Sequence, residues 1–162
     1  MFHLTFGMNA AETGLLMTAW PLVIVVAGPL AGTLATKIHP GLLGGVGLLL
    51  MSVGCFLLAD VSPSVGYGGL VARLMLCGFG FGLFQSPNNH LLLSSAPSYR
   101  TGGASGMQAT ARLVGQTTGA ALVALLFYLN GDRAPHAAMW LAGGFTLCGS
   151  LVSCSRLRAH RF

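Results

Sequence analysis

Residues 13–36, TGLLMTAWPLVIVVAGPLAGTLAT, contain no charged side chain over 24 consecutive positions, and this stretch decides the fold. A helix needs about 20 mainly apolar residues to cross the hydrocarbon core of a bilayer, so the stretch predicts a membrane span. Four more uncharged runs of similar length follow, at 38–59, 74–99, 113–131 and 134–155. The runs are continuous and do not alternate between apolar and polar residues, which favours helices over the strands of a barrel.

The composition also indicates a chain surrounded by lipid. Of the 162 residues, 54% are hydrophobic and 7% are charged, whereas soluble domains have ~25% charged residues. The mean hydropathy is +0.75. These values exclude a soluble enzyme, a nucleic-acid-binding domain and a disordered linker, so we expect the lipid bilayer, and no nucleic acid, as a partner.

Extending the uncharged runs through small and apolar neighbours predicts an all-α membrane protein with five transmembrane helices. Short polar segments rich in proline, glycine and serine separate the helices, as at His39-Pro40-Gly41 and Ala96-Pro97-Ser98. Asn9 and Glu12 have the spacing of a capping box and predict the start of the first helix. The five predicted spans are residues 12–35, 41–59, 67–95, 101–129 and 137–155.

The distribution of basic residues predicts the orientation of the chain. Five antiparallel spans place the connecting loops alternately on the two sides of the membrane. One side of the membrane receives five basic residues: Lys37, Arg100, Arg156, Arg158 and Arg161. The other side receives only Arg133, next to Asp132. The positive-inside bias then predicts a cell (inner) membrane protein with a cytoplasmic C-terminus and an outer N-terminus. Because residues 1–11 have no signal peptide pattern, we expect further helices upstream and a C-terminal piece of a longer transporter.

Glycine is abundant, with 24 residues, and much of it recurs at intervals of four. Small residues four apart lie on one helix face and let helices in a membrane approach closely. The spacing predicts either static close packing or seams that slide during a transport cycle. The pairs are Gly28/Gly32, Gly41/Gly45, Gly78/Gly82, Gly102/Gly106 and Gly115/Gly119.

Polar side chains concentrate in the third and fourth spans. Gln108, Arg112 and Gln116 form one stripe down the fourth helix, with Arg112 near the middle of the bilayer. In a hairpin that turns near residues 98 and 99, positions at equal depth have numbers that sum to about 197. Such positions pair Arg112 with Gln85, and Gln108 with Asn89. We predict a midplane cluster, which either lines a substrate path or clamps two helices together. Its members are Gln85, Asn88, Asn89, Gln108 and Arg112.

Other polar residues receive simpler interpretations. Arg73 is expected to reach the membrane surface or to pair with Asp60. His90 is expected to belong to the amide cluster. Spans two and five carry few polar residues and are expected to face lipid.

The sequence offers no coupling group, metal site or cofactor site. Its three acidic residues, Glu12, Asp60 and Asp132, all lie at helix starts or in loops, so no span carries the embedded acid that proton-coupled transporters use. No nucleophile has a positioned base, and no motif cradles a phosphate, so we expect no enzyme, no cofactor and no metal. Four cysteines are interpreted as small packing residues: Cys55, Cys77, Cys148 and Cys154.

Two stretches resemble the major facilitator superfamily. Residues 14–37, GLLMTAWPLVIVVAGPLAGTLATK, resemble the eighth helix and the following cytoplasmic loop in the twelve-helix core count. Residues 78–122, GFGFGLFQSPNNHLLLSSAPSYRTGGASGMQATARLVGQTTGAAL, resemble the tenth and eleventh helices of the fourteen-helix drug:proton antiporter group. They are most similar to exporters of methyl viologen and quaternary ammonium compounds. In the family's loop signature Gly-x-Leu-Ala-Asp-Arg, Gly32, Leu34 and Ala35 match, while Thr36 and Lys37 replace the acid and the arginine.

The resemblance implies the C-terminal part of a major facilitator helical bundle. It implies proton-driven efflux of drugs or lipophilic cations by alternating access, with protons as the coupling ion, and a fragment that is inactive alone. Two alternatives stay open. In the first, the chain is a self-contained small oligomeric membrane protein or an interaction subunit without its own transport. In the second, it belongs to a metabolite carrier of the same superfamily.

Overall fold

The computed structural model describes residues 9–61 and 65–159, and the described chain is entirely helical. It contains five long helices and two short 3-10 turns, Ser98–Arg100 and Gly131–Arg133. The helices agree with the five predicted spans to within a few residues at each end. The helices are α1 (Ala10–Ala35), α2 (Pro40–Ala59), α3 (Tyr67–Ser94), α4 (Thr101–Asn130) and α5 (Ala134–Ala159).

Four segments of the described chain are long and apolar enough to cross a membrane. Three of them coincide closely with single helices: Ala11–Ala35, Pro40–Ala59 and Tyr67–Ser94. The fourth, Thr101–Ser155, has 55 residues and contains both α4 and α5. Gly131 separates these two helices with φ +50°, a left-handed conformation that glycine adopts without steric cost.

Local chemistry sets the first helix boundaries. At the start of α1, the Glu12 amide donates to Asn9 Oδ1 at 2.9 Å, and the Asn9 amide donates to Glu12 Oε2 at 3.0 Å. The predicted capping box is therefore confirmed. At the start of α2, the His39 ring accepts from the Gly41 amide and Pro40 occupies the first turn, where a proline costs no backbone hydrogen bond. Pro63, in the segment between the second and third predicted spans, lies outside the described residues.

The helices pack in an order that the hydropathy did not predict. α2 lies between α3 and α5 and is antiparallel to both, while α1 packs along α3 and runs parallel to it. The expectation that span two faces lipid alone is wrong for this bundle, because α2 is the most buried of the spans. Its glycines let a helix approach from either side.

Three serines tie α2 to α5. Ser52 and Ser150 donate to the carbonyls of Gly143 and Gly45, at 2.8 and 2.7 Å, and Ser153 donates to the carbonyl of Gly41 at 3.0 Å. Each donor is buried against a glycine of the facing helix. Small residues therefore bring the backbones close enough for a hydroxyl to reach across, which is how polar groups join helices in lipid.

The glycine pairs divide into those inside helix contacts and those on open surfaces. A Cβ on Gly78 would lie 2.8 Å from the Trp20 carbonyl oxygen, and one on Gly82 would lie 2.7 Å from Ala27 Cβ, so both line the α1–α3 contact. Gly41 and Gly45 line the α2–α5 contact, and Gly32 lies 3.9 Å from Ser86 Oγ by the same measure. No neighbour comes within 4 Å of the others in the described chain, and their packing role stays a prediction: Gly28, Gly102, Gly106, Gly115 and Gly119.

The apolar core lies between α1, α2 and α3. It is centred on Leu16, Leu58, Leu70 and Leu74, with the thiols Cys55 and Cys77 among them. The packing interpretation therefore holds for these two cysteines. Two further thiols are less enclosed, with Cys154 half-buried and Cys148 exposed, so the expectation that all four are packed is wrong for Cys148.

α4 stands apart from the remaining helices. None of its described residues is buried, and Met107, Leu113 and Val114 are 77%, 61% and 59% exposed. It touches α3 only near its N-terminal third and α5 near the Gly131 turn. A helix with apolar side chains exposed all round is suited to lipid or to further helices, not to water.

Candidate functional site

The polar residues predicted from the sequence lie around one cavity between α3 and α4, which we call the α3–α4 cavity. Its volume is about 290 Å³. All five members of the predicted cluster line it, together with two aromatic and two small or aliphatic residues. The lining residues are Phe81, Phe84, Gln85, Asn88, Asn89, Leu92, Gln108, Ala111 and Arg112.

The residues that line the α3 side of the cavity share one face of the helix because of their spacing. Phe81, Gln85, Asn88 and Leu92 recur at intervals of three or four residues and lie on one face of α3. The three amides of α3 are half-buried, while Pro87 points to the opposite side and is fully buried. Pro87 lacks the amide hydrogen that would bond one turn earlier, yet α3 continues past it to Ser94. α3 therefore has an apolar, proline-bearing face towards the bundle and an amide-bearing face towards α4.

A hydrogen bond joins the two walls of the cavity. Gln108 Nε2 on α4 donates to Asn89 Oδ1 on α3. These positions sum to 197, which is the equal-depth pairing that the hairpin predicts. The bond holds the first third of α4 against α3, where few other contacts do so. The clamp interpretation therefore describes this pair of amides.

Arg112 differs from the two clamped amides. Among the described residues its guanidinium has no ion pair and no hydrogen bond, although it lines the cavity. It stands 11 positions after the start of α4, or roughly 17 Å along the helix axis. No carboxylate lines the cavity. An unpaired guanidinium at this depth is costly unless it faces water or a ligand, so Arg112 is the residue of the cluster that a clamp does not explain.

His90 lies elsewhere, contrary to expectation. It is exposed and lines a second cavity of about 150 Å³ between α1 and α3, which we call the α1–α3 cavity. His90 follows Asn89 by one residue, which turns the helix face by about 100°. The residues at the family loop signature are divided. Gly32, Ala35 and Thr36 line this cavity, while Leu34 and Lys37 are exposed.

Arg73 has a different partner from the one expected. Its Nη1 donates to the carbonyl of Leu57 at 2.6 Å, while Asp60 contacts the ring of His136, Oδ1 to Nε2, at 3.3 Å. The predicted pairing of Arg73 with Asp60 is therefore wrong, because a nearer carbonyl and a competing imidazole satisfy the two groups separately.

The ring of His136 receives two contacts at one atom. Trp140 Nε1 lies 3.2 Å from Nε2, the same nitrogen that faces Asp60. The indole can only donate, so that bond requires a lone pair on Nε2, whereas an ion pair with Asp60 requires a proton there. One nitrogen cannot satisfy both partners at once, so Nε2 bonds either to the Trp140 indole or to the Asp60 carboxylate.

Sequence reasoning missed the apolar wall of the α3–α4 cavity. Phe81, Phe84 and Leu92 were not predicted as site residues, although they share the helix face of Gln85 and Asn88. Extending the polar residues along the 3.6-residue period would have found them. Gln116, which continues the stripe on α4, is exposed and does not line the cavity.

The α3–α4 cavity is lined by groups that can form hydrogen bonds and stack against a ligand. Amides donate and accept hydrogen bonds, the rings of Phe81 and Phe84 offer flat apolar surface, and Arg112 offers a charge-assisted donor. No group of three or more metal-ligating side chains occurs within residues 9–61 and 65–159. The arrangement is that of a small-molecule site whose polar groups are few and convergent.

Comparison with known proteins identifies the family. Residues 1–161 match the Major Facilitator Superfamily. Over 155 residues, covering 96% of this chain and 34% of the relative, the sequence is 47% identical to "Uncharacterized transporter YebQ" of Escherichia coli (strain K12). No solved structure matches significantly.

More distant relatives have names that refer to drug resistance or to transport. "Multidrug resistance protein Stp" of Mycobacterium tuberculosis is 27% identical over 132 residues, which cover 80% of this chain and 24% of that protein. "Riboflavin transporter RibZ" of Clostridioides difficile is 32% identical over 124 residues, which cover 74% of this chain and 26% of that protein. The chain thus spans a quarter to a third of the length of these relatives. With its five apolar helices and its match along almost the whole length, the chain belongs to the Major Facilitator Superfamily, a family of membrane transporters and not of enzymes.

Proposed function

We propose that this chain forms the C-terminal part of a fourteen-helix proton-driven exporter of drug-like lipophilic molecules. The α3–α4 cavity carries the proposal, because it brings five polar side chains and two aromatic rings to one surface within apolar helices. Polar residues in the middle of membrane spans are expensive in lipid and usually mark a substrate path. In alternating access, α3 and α4 would supply part of the path that opens first to one side and then to the other.

The relatives support a transported organic molecule. The name of Stp refers to multidrug resistance and the name of RibZ refers to riboflavin. The name of YebQ refers to no substrate. Methyl viologen and other lipophilic cations are the substrates that the family resemblance suggests. RibZ favours the second candidate, a metabolite carrier with the same helices and mechanism. Both candidates use the α3–α4 cavity as the substrate surface.

Proton coupling requires a group from outside the described spans. Glu12 and Asp60 lie at the ends of α1 and α2, and Asp132 lies in the turn after α4. An acid that changes charge with access is the usual coupling group of such transporters. We therefore propose that the coupling acid belongs to helices that precede this chain in the complete gene product, which also makes the chain inactive alone.

The helix directions fit the orientation inferred from charge. The antiparallel arrangement places Lys37, Arg100 and the C-terminal end of α5 at one end of the bundle, and Asp60 and Arg133 at the other. We propose that the Lys37 end faces the cytoplasm of the inner membrane, in agreement with the positive-inside bias.

The test is dye efflux by cells that express the complete gene product with Arg112→Ala. We expect proton-dependent efflux to fall at least tenfold at unchanged membrane levels, because Arg112 has no partner whose loss would destabilise the helices. Gln108→Ala serves as the matched control, since it breaks the bond to Asn89 and acts on stability. Normal efflux by Arg112→Ala, or loss of the protein itself, would contradict the proposal.

Expression of the 162-residue chain alone tests the remaining alternative, a self-contained membrane protein. We expect rapid degradation or stable protein without efflux, because α4 leaves its apolar faces unpartnered. Methyl viologen resistance conferred by the chain alone would favour an autonomous oligomeric transporter.

A further inference from the structure

The charge balance of the α3–α4 cavity bears on the class of substrate. Its lining contains one cation, Arg112, and no acid. No acid in the described chain pairs with that cation, since Asp60 contacts His136, Glu12 caps α1 and Asp132 lies in the turn after α4. The Arg112 side chain is exposed in the described chain. A cation that approaches it is repelled, and an anion is attracted.

The shape and chemistry of the walls narrow the class further. Phe81 and Phe84 lie on the α3 wall, and Phe81 extends the aromatic surface to Trp20, with ring centroids 6.3 Å apart. Flat apolar surface of this kind binds planar rings. The guanidinium of Arg112 is a planar fork of donors that matches a carboxylate with two parallel hydrogen bonds. Amides such as Gln85 and Asn88 can bond the remaining polar groups of the same ligand.

We propose that the α3–α4 cavity binds planar aromatic organic anions, with a carboxylate on Arg112 and the ring system against Phe81 and Phe84. This inference rests on the proposed function, because it takes the cavity to be a substrate site. It departs from the lipophilic cations that the family resemblance suggests. Any acid that recognises a cation would have to come from another part of the complete gene product and to neutralise Arg112 first.

Two xanthene dyes provide the test, because they share a three-ring core and differ in charge. Fluorescein is an anion with a free carboxylate, and rhodamine 6G is a permanent cation with an esterified one. Binding of each dye to the purified complete gene product is measured by fluorescence anisotropy. We expect fluorescein to bind at least roughly tenfold more tightly than rhodamine 6G, since a charge-assisted bidentate pair contributes that much or more.

Variants then assign the preference to Arg112. Arg112→Gln is expected to lose the tenfold preference, and Arg112→Lys to retain part of it, because an ammonium keeps the charge without the fork. Arg100→Gln is the matched control. It removes an arginine that lies over the Tyr99 ring outside the cavity, at 5.7 Å, and it should keep the full preference. Gel-filtration elution of each variant checks that the protein is folded.

Tighter binding of rhodamine 6G to the unmodified protein would overturn the inference. That result is expected if an acid from another part of the complete gene product pairs with Arg112. An unchanged preference in folded Arg112→Gln would also overturn it. Fluorescein binding with the expected preference, but without export from cells, would overturn the proposed transport function and leave the anion site standing. Efflux of rhodamine 6G alone would support transport and refute the anion site.

Discussion

The contact between α2 and α3 gives the sharpest structural prediction, through Gly47→Ala. A methyl group at Gly47 would lie 2.6 Å from the carbonyl oxygen of Gly80 and 2.8 Å from the amide nitrogen of Phe84. Both neighbours are backbone atoms of a facing helix and cannot rotate away. Overpacking of this kind costs about 1–3 kcal/mol and occasionally more, while replacing a helical glycine with alanine returns up to about 1 kcal/mol. We expect a net loss of about 1–2 kcal/mol in the free energy of unfolding.

Gly144→Ala is the matched control, because it makes the same chemical change within α5, where nothing lies within 4 Å. It should be neutral or stabilise the protein by up to about 1 kcal/mol. The assay is unfolding of the purified complete gene product in mixed detergent micelles containing increasing fractions of sodium dodecyl sulfate. Equal stability of the two variants, or a more stable Gly47→Ala protein, would refute the close α2–α3 contact.

A further prediction concerns the polar contact between α3 and α4. Asn89→Ala and Gln108→Ala should be less than additive in unfolding free energy, with a coupling of about 0.6 kcal/mol and at most about 1.7 kcal/mol. Fully additive effects would contradict the clamp.

Hydropathy and turn residues were sufficient to predict the helices and their sequence limits. Uncharged runs fixed five elements, and the capping box of Asn9 and Glu12 fixed the start of the first. The equal-depth rule also paired Gln108 with Asn89 correctly. These features depend on local sequence or on the geometry of one hairpin, which a single chain contains.

The neighbours of each helix could not be predicted in the same way. α2 was expected to face lipid because it lacks polar residues, yet its glycines admit two helices and make it the most buried span. Conversely, the glycines of α4 have the same spacing and meet no neighbour in the described chain. Small-residue spacing identifies a face able to pack closely but not its partner, which depends on the other helices present.

The polar cluster was predictable as a set, but its separate roles were not. Depth counting paired Gln85 with Arg112, and both residues line one cavity. His90 was assigned to the same cluster by proximity in sequence and lies in the α1–α3 cavity instead, since one residue changes the helix face by about 100°. Arg73 and Asp60 likewise contact other partners, which depend on how the helices pack.

Thiol labelling of Asn88→Cys, in the complete gene product with its other cysteines replaced, tests most directly whether the α3–α4 cavity is a substrate path. We expect a membrane-impermeant maleimide to react with this position, and whichever xanthene dye is exported to slow the reaction. Leu151→Cys, on the exposed apolar surface of α5, should react slowly whether or not the dye is present. An unreactive Asn88→Cys, or one whose labelling rate the exported dye does not alter, would contradict a substrate path between α3 and α4.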